Sequence, residues 1–279
     1  MAYTLSDALQ RSLTKLGMLN IGLATAGSTT SATVGANANL KGEKDDTWKD
    51  GVLFVVRTTD GLAPQGEYQR ISAYAASTGA FTVDTALSEA VAAGDVVAFT
   101  DSTYPFRLMA EMANQVLRTI KIGAVYTSLT TADEQTEYSL PVTVKRNPPT
   151  RVEIQTNSDT NDNKWLELHG FDYVPATAGS TATLILPYQP SGGYTLRVWY
   201  NGDHPALDSY DDTLSETIDE ELFASMITAA ALEWYNTSNS GADAFLIDRE
   251  NKANADVNER RAMSPTFTNK KKSKLLYTR

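Results

Sequence analysis

The amino-acid sequence predicts an α+β fold in which a bundle of four helices is the core and two antiparallel β regions are inserted into it. The composition, with 42% hydrophobic and 21% charged residues, is typical of a globular chain. Runs of short strands separated by turn residues predict a small barrel or sandwich at 50–101 and a larger β-sandwich at 125–200. Apolar residues recur at helical spacing in four other stretches, at 4–17, 103–122, 217–235 and 242–262.

The first helix begins with a capping signal. Thr4 is a good N-cap residue, and Asp7 follows three positions later. Gly17 ends the pattern. One apolar stripe, which must pack against another element, is formed by Leu5, Leu9, Leu13 and Leu16.

The stretch 24–46 is rich in Gly, Ala, Ser, Thr and Asn and offers little to bury, so it predicts a long loop or linker. Trp48 lies near the edge of this linker, where we expect it to be exposed, which is weak evidence for a sugar or partner contact. The following β module has four predicted strands, at 52–58, 68–74, 80–87 and 94–100.

The second helix is predicted over 103–122, with Pro105 near its start and Gly123 at its end. The larger β region then follows, with turns of Asn, Asp, Gly and Pro between its strands. Its predicted strands are at 126–129, 138–145, 150–156, 164–170, 181–188 and 194–200.

The third helix has an unusually wide apolar face, which implies contacts on two sides. Thr217 and Glu220 predict a capping box at its start. The last helix is charged and has a weaker stripe that includes Val257. We expect packing within the bundle or between subunits to involve Phe106, Met109, Leu222, Phe223, Met226, Ile227 and Trp234.

These elements predict six consecutive segments. They are an N-terminal bundle helix (1–21), a linker with the small β module (22–101), a bundle helix (102–124), a β-sandwich (125–202), two C-terminal bundle helices (203–263) and an extended basic tail (264–279).

Charge is distributed unevenly along the chain. The 34 acidic and 24 basic residues give a net charge of −10, and five of the bases fall within 270–279, so the rest of the chain carries −15. An acidic body does not coat nucleic acid non-specifically. A basic tail on such a body suggests a specific anionic docking partner, and a solvated terminus is the alternative.

The residues that would support common chemistries are scarce. The chain has no cysteine and two histidines, His169 and His204, so we expect no catalytic centre, no cofactor and no metal site. No phosphate-binding glycine loop, HExxH or GxSxG motif is present. The sequence at 159–163 resembles the start of a calcium loop, but Lys164 and Gly170 stand where that loop needs Gly and Glu.

A cluster of carboxylates lies at 203–221, a stretch without Lys or Arg. Such groups could bind a cation or act as an acid/base pair, but we expect instead a solvated loop, a capped helix start and an exposed acidic surface. In a ring of subunits the same charges would form a negative wall that DNA does not adhere to. The candidate ring or channel surface consists of Asp203, Asp208, Asp211, Asp212 and Glu216.

The order of these features resembles the head-to-tail adaptor (connector or neck) proteins of tailed bacteriophages. The resemblance spans nearly the whole chain, although none of its parts is a sharp motif. It is carried by TYPFRLMAEMANQVLRTI after a small β insert, KWLELHG followed by TATLILPY, YTLRVWYNGDHPALDSYDDTL leading into IDEELFASMITAAALEWYN, and a charged last helix before a basic tail.

The resemblance implies a structural virion protein, not an enzyme, with a helical core. It implies a homo-oligomeric ring of twelve copies that docks on the portal protein, contacts tail or nozzle proteins and leaves a channel for DNA during ejection. The C-terminal tail would dock on the portal through Phe267, Lys270, Lys271, Lys272, Lys274, Leu275, Leu276, Tyr277 and Arg279. The insert at 22–101 is larger than in a minimal adaptor.

The sequence leaves two alternative functions open. One is another virion component of the neck or tail, such as a nozzle, stopper or tail tube protein. The other is a glycan-binding or glycan-cleaving β protein that uses carboxylates such as Asp203 and Glu216. No apolar run is long enough to span a membrane and no signal peptide is recognisable, so we expect the chain to stay in the cytoplasm in which it is made. The resemblance implies that this is the host cytoplasm during assembly and that the final location is the neck or tail of the virion.

Overall fold

The structure is a computed structural model that describes residues 3–35, 40, 43–144, 147–155, 164–177, 180–238 and 244–263. The chain divides into two compact units. The described residues of the larger unit lie within 3–119 and 205–263, and those of the smaller unit lie within 120–204.

The larger unit contains four helices: α1 (Leu5–Lys15), α2 (Phe106–Thr119), α3 (Glu220–Ser238) and α4 (Ala244–Met263). The predicted capping box of α1 is confirmed, because Thr4 and Asp7 each accept the other's backbone N–H. The predicted cap of α3 is wrong. Asp219, not Thr217, accepts the N–H of Leu222, and the helix begins at Glu220.

Helix α3 is buried on most of its circumference. Every residue from Leu222 to Ala229 is buried, as are Ala231 and Leu232. The other three helices all pack against it. This arrangement follows from its sequence, because a helix without a polar face has to be surrounded.

The prediction of a four-helix bundle as the core is nevertheless wrong, although the fold is α+β. A closed β-barrel has a hydrophobic core of its own in the larger unit. Helix α4 buries only Val257, because most of its other side chains are polar or charged and remain at the surface. Helix α2 also contacts the barrel, since Phe106 packs edge-on against Tyr68 at 4.9 Å between ring centroids.

The barrel has six strands, all antiparallel to their neighbours, in the order β1-β2-β5-β4-β3-β6, with β6 closing onto β1. Its centre holds an aromatic chain in which Tyr74 contacts Phe81, Phe81 contacts Phe99 and Phe99 contacts Trp48. The strands are β1 (Asn20–Gly27), β2 (Ser31–Val34), β3 (Val52–Arg57), β4 (Tyr68–Ala75), β5 (Ala80–Val83) and β6 (Val96–Phe99).

The prediction of a long loop over 24–46 is wrong, because this stretch contains β2 and the second half of β1. The inward-facing side of β1 carries small residues, Gly22 and Ala24, which leave no hydrophobic alternation to read. The structure shows why they are small. A Cβ on Gly22 would lie 2.4 Å from Cγ1 of Val34, so the side chain of β2 fills the space that a larger residue of β1 would need.

The smaller unit contains two antiparallel sheets with a shared hydrophobic core. The four-stranded sheet has the order β10-β9-β13-β7, and the three-stranded sheet has the order β11-β12-β8. Its strands are β7 (Lys121–Thr130), β8 (Glu137–Leu140), β9 (Pro149–Gln155), β10 (Trp165–Leu168), β11 (Asp172–Val174), β12 (Ala182–Ile185) and β13 (Thr195–Asp203).

Several predicted boundaries shift. The second helix ends at Thr119, before the predicted end, because Lys121 already pairs with Asp203 at the start of β7. The predicted strand at 138–145 ends at Leu140, and Val142–Val144 forms a 3₁₀ turn after Pro141. Strand β11 was missed because it is only three residues long.

The substitution Gly51→Ala tests the packing of the barrel wall. A Cβ at this position would lie 1.8 Å from the backbone oxygen of Thr100, so Gly51→Ala must displace the chain at the start of β3. We expect a loss of about 1–3 kcal/mol, which lowers the midpoint of thermal unfolding by roughly 3–10 °C. Differential scanning calorimetry measures this change.

Gly123→Ala is the matched control, because a Cβ on Gly123 meets nothing within 4 Å. We expect its effect to stay within about 0.5 kcal/mol. Equal effects of the two substitutions would contradict the close approach at Gly51.

Candidate interaction surfaces

The acidic segment 208–216 is tied to the start of α1. The backbone N–H of Leu5 donates to the Asp212 carbonyl (3.0 Å), and that of Leu214 donates to the Tyr3 carbonyl (2.8 Å). One carboxylate oxygen of Asp212 accepts the N–H groups of Asp208 and Ser209 at 2.6 and 2.8 Å. These hydrogen bonds favour the ionised carboxylate and lower the pKa of Asp212.

The five predicted surface acids therefore have different surroundings. Asp212 organises a turn, and Ser209 donates to Asp211 at 2.6 Å. Asp208, Asp211 and Glu216 are exposed in the larger unit. Asp203 belongs to the smaller unit, where it is paired with Lys121. Among the described residues, no group of three His, Asp or Glu side chains is arranged to hold a metal ion.

The predicted packing residues lie in the interior of the larger unit. Met109, Leu222, Phe223, Met226 and Ile227 are buried. Phe106 and Trp234 are half-buried, and Trp234 lies 6.4 Å from Tyr104 between ring centroids. The five buried side chains therefore pack within the chain itself.

A charge network joins α1, α3 and α4. Lys15 of α1 lies 3.0 Å from Glu221 of α3 and 3.7 Å from Asp256 of α4. Asp256 also accepts hydrogen bonds from Ser225 at 2.6 Å and from Arg260 at 2.8 Å. Because α4 has only one buried apolar residue, this network is a main part of what holds α4 against α3.

The network changes the acidity of its two carboxyl groups. Partial burial opposes ionisation of Glu221, but the hydrogen bond and charge of Lys15 outweigh it, so the pKa of Glu221 is lowered. Partial burial also opposes ionisation of Asp256. The hydrogen bonds from Ser225 and Arg260 lower the pKa of Asp256 below its usual value.

A cleft of about 280 Å³ lies beside this network and is lined by cations, among them Arg249 and Lys252. Both are engaged within the chain. Arg249 donates to the carbonyl of Leu16 at 2.9 Å, and Lys252 pairs with Asp248 at 2.6 Å. Arg249 and Lys252 therefore already have partners within the chain, so neither is an unpaired cation that could attract an anion to the cleft.

The outer face of the four-stranded sheet combines aromatic and charged side chains. The guanidinium of Arg197 lies 3.6 Å from the centroid of the Trp165 ring. Glu153 is buried beside it, accepts the indole N–H of Trp199 at 2.9 Å and is paired with Arg151. Carboxylates and half-buried tryptophans in one place are features of both protein-binding and sugar-binding surfaces.

The barrel has an opening of about 130 Å³ next to Trp48. The expectation that Trp48 is exposed is wrong, since it is 9% exposed and packs edge-on against Phe99 at 4.8 Å. Its indole Nε1 has no hydrogen-bond partner among the described residues. Sequence reasoning missed this site because Trp48 follows a stretch that reads as linker.

The remaining predicted sites lie outside the described residues or are exposed at the surface. The portal-docking residues Phe267 to Arg279 and the calcium-like stretch at 159–163 lie outside the described residues. His169 is exposed and lies 3.9 Å from Glu167. In the described part of the chain, no helix has both the length and the apolar character that crossing a membrane requires.

Comparison with known proteins adds no assignment. The chain matches no protein-family model, and no curated protein matches it.

Asp256→Asn tests the charge network. The variant keeps the side-chain size but weakens the bonds to Ser225, Arg260 and Lys15, so we expect a loss of about 1 kcal/mol, seen as a fall of roughly 2–4 °C in the unfolding midpoint. Lys252→Gln breaks an exposed pair and serves as the control, with an expected effect below about 0.5 kcal/mol. Equal midpoints for Asp256→Asn and the wild type would show that the network contributes nothing.

The same network predicts a pH dependence. Because the pKa values of Glu221 and Asp256 are lowered on folding, their stabilisation is complete above about pH 5 and is lost as the pH falls below about 4. We expect the difference in unfolding midpoint between wild type and Asp256→Asn to be present at neutral pH and to shrink as the pH falls below about 4. A difference that persists unchanged at acid pH would exclude an ionic origin.

Proposed function

We propose that the protein is a structural component of a tailed bacteriophage that assembles into a ring, docks on the portal protein and joins it to the tail. The observation that carries the proposal is the order of its elements. A helix follows a β insert, a β region leads into an acid-capped buried helix, and a charged last helix precedes a lysine-rich terminal sequence. That order is the one in which the sequence resembles head-to-tail adaptors.

The charge distribution supports the same proposal. A channel for DNA has to avoid binding the phosphates, and residues 1–269 carry −15. The exposed acids Asp208, Asp211 and Glu216 belong to that excess. Repeated around a ring of twelve copies, such charges would let DNA pass during ejection without specific binding.

The surface of the larger unit supports subunit contacts. Phe245 and Met263 of α4 are 66% and 71% exposed, and Ile21 of β1 is 64% exposed. Large apolar side chains on an otherwise acidic protein are suited to contacts with other chains. In this proposal the neighbours are further copies of the chain, the portal and tail or nozzle proteins, and the role needs no catalytic group.

Docking on the portal would use the terminal sequence. Its four lysines and Arg279 would meet carboxylates, and Leu275, Leu276 and Tyr277 would fill apolar pockets.

A second candidate function, glycan binding, is favoured by the outer face of the four-stranded sheet. Trp165 and Trp199 are half-buried there beside the carboxylate of Glu153. Binding of a cell-surface glycan that is lost in Trp199→Ala would support this second function. If the protein is an adaptor alone, a glycan array shows no saturable binding.

The portal interaction is tested with a variant in which Lys270, Lys271, Lys272 and Lys274 are replaced by Gln. We expect its affinity for purified portal rings to fall by about tenfold or more, because four interfacial charges are removed. Sedimentation of labelled protein with the portal measures the affinity, and raising the salt should reduce the difference between wild type and variant.

The matched control makes the same change in net charge elsewhere. It replaces Lys44, Lys49, Lys164 and Lys252, which are all exposed, by Gln. The control should bind the portal as the wild type does. Failure of the full-length protein to bind the portal would overturn the proposal, and binding to an isolated tail protein in its place would assign it to another part of the neck.

A further inference from the structure

The four-stranded sheet of the smaller unit has two open edges. Strand β7 pairs with β13 on one side, and β10 pairs with β9 on one side. On its other side, neither strand has a paired strand among the described residues. The backbone N–H and C=O groups that point outward from such an edge bond in a regular pattern only to another extended chain. Each edge is therefore a place where a further strand can be added.

Strand β7 lacks most of the features that keep an edge strand from pairing. It has ten residues and no proline, and its one charged residue is Lys121 at the first position. A register shift between Leu196 and Val198 of β13 marks a β-bulge, but residues 121–126 pair one for one with β13. Edges that stay unpaired are usually short, charged or twisted away by bulges. The segment 121–126, which we call the regular edge, is therefore suited to accept a strand.

The regular edge is accessible. Gly123 is exposed, and because glycine has no side chain this exposure is that of its backbone. A Cβ added to Gly123 would meet nothing within 4 Å. On the side of β7 that faces the core, Ile122, Ala124 and Tyr126 are only half-buried. An added strand would cover these apolar side chains and extend the hydrophobic core of the unit.

The open edge of β10 also carries an apolar side chain. Side chains alternate along a strand, and Leu168 of β10 is buried in the core of the unit. Leu166 therefore lies on the same face of the sheet, but at this open edge it is 53% exposed. Placed beside the regular edge of another copy, Leu166 would cover Ile122 and be covered by it.

The two edges have the relative direction that pairing between copies needs. Every neighbouring pair in the order β10-β9-β13-β7 is antiparallel, so β10 runs opposite to β7. A second copy displaced sideways along the sheet therefore brings its β10 antiparallel to β7. In the register that sets Ile122 opposite Leu166, the opposite charges of Lys121 and Glu167 also face each other. Both charges already have a partner within their own chain, so the apolar pair contributes more.

We propose that copies of this chain associate head to tail through the sheet of the smaller unit, with the regular edge of one copy paired to β10 of the next. The inference rests on the ring assembly proposed above and names one of its subunit contacts. A contact between two different edges leaves each copy with one edge for the next neighbour, and it closes into a ring when the rotation between copies divides a full turn. Because β10 has four residues, the contact is small and adds to others.

Disulfide trapping in the full chain tests the pairing, because the chain has no cysteine of its own. Facing residues of antiparallel strands lie about 4.5–5.5 Å apart between Cα atoms, within the range of a disulfide. We expect Ile122→Cys/Leu166→Cys, oxidised both alone and with the cognate portal, to give a ladder of linked multimers on a non-reducing gel. The matched control, Ile122→Cys/Leu62→Cys, moves the second thiol to a leucine of the larger unit that is 68% exposed, and it should give no ladder.

A second variant weakens the contact without introducing a thiol. Leu166→Lys places a charge against the apolar side of the regular edge, so we expect the concentration of chain that half-covers the portal to rise about tenfold. Leu62→Lys adds the same charge at an exposed leucine of the larger unit and should behave as the wild type does. The unfolding midpoint of each variant shows whether it is folded.

The outcomes separate the pairing from the adaptor role. Rings on the portal without a ladder from Ile122→Cys/Leu166→Cys, or with an equal ladder from the control, would overturn the pairing and leave the ring. Linked dimers from Ile122→Cys alone would assign β7 to a two-fold contact and also overturn it. A ladder without portal binding would support the pairing and overturn the adaptor role. A chain that neither binds the portal nor forms a ladder would overturn both.

Discussion

The burial of α3 is the constraint on which the larger unit depends. From Leu222 to Ala229 no side chain reaches the surface, so α1, α2 and α4 have to enclose this helix. In the sequence, α1 and α2 flank the strands of the barrel, and α2 and α3 flank the strands of the smaller unit. Packing of three helices on α3 therefore brings together parts of the chain that the two β regions separate.

The four helices are held in different ways. Apolar packing dominates for α1 and α2, whose leucines and methionines are buried. The docking of α4 depends on the carboxylates of Glu221 and Asp256 and the cations that surround them. Ion pairs that are partly exposed contribute little individually and are screened by salt. The contribution of these ion pairs to the docking of α4 is therefore expected to fall as the salt concentration rises.

Much of the secondary structure could be predicted from the sequence, whereas its organisation could not. The helices and ten strands were recognised because apolar residues recur at a period of 3.6 or 2. Strands β1 and β2 were missed because Gly22, Ala24 and Ala32 face the core where larger residues usually reveal a strand. The bundle prediction was wrong because periodicity shows that a helix has an apolar face, not which element covers it. The acids at 208–216 were found by their charge, but the pairing of this segment with the start of α1 and the packing of Trp48 on Phe99 depend on contacts between residues distant in the sequence.

We propose that copies of this chain form a ring on the portal, and electron microscopy of the full chain mixed with the cognate portal tests this assembly. We expect class averages with rotational symmetry, an added ring of density coaxial with the portal and an open central channel. Rings that form with the chain alone would also agree with it. A chain that remains monomeric and leaves the portal undecorated would contradict it.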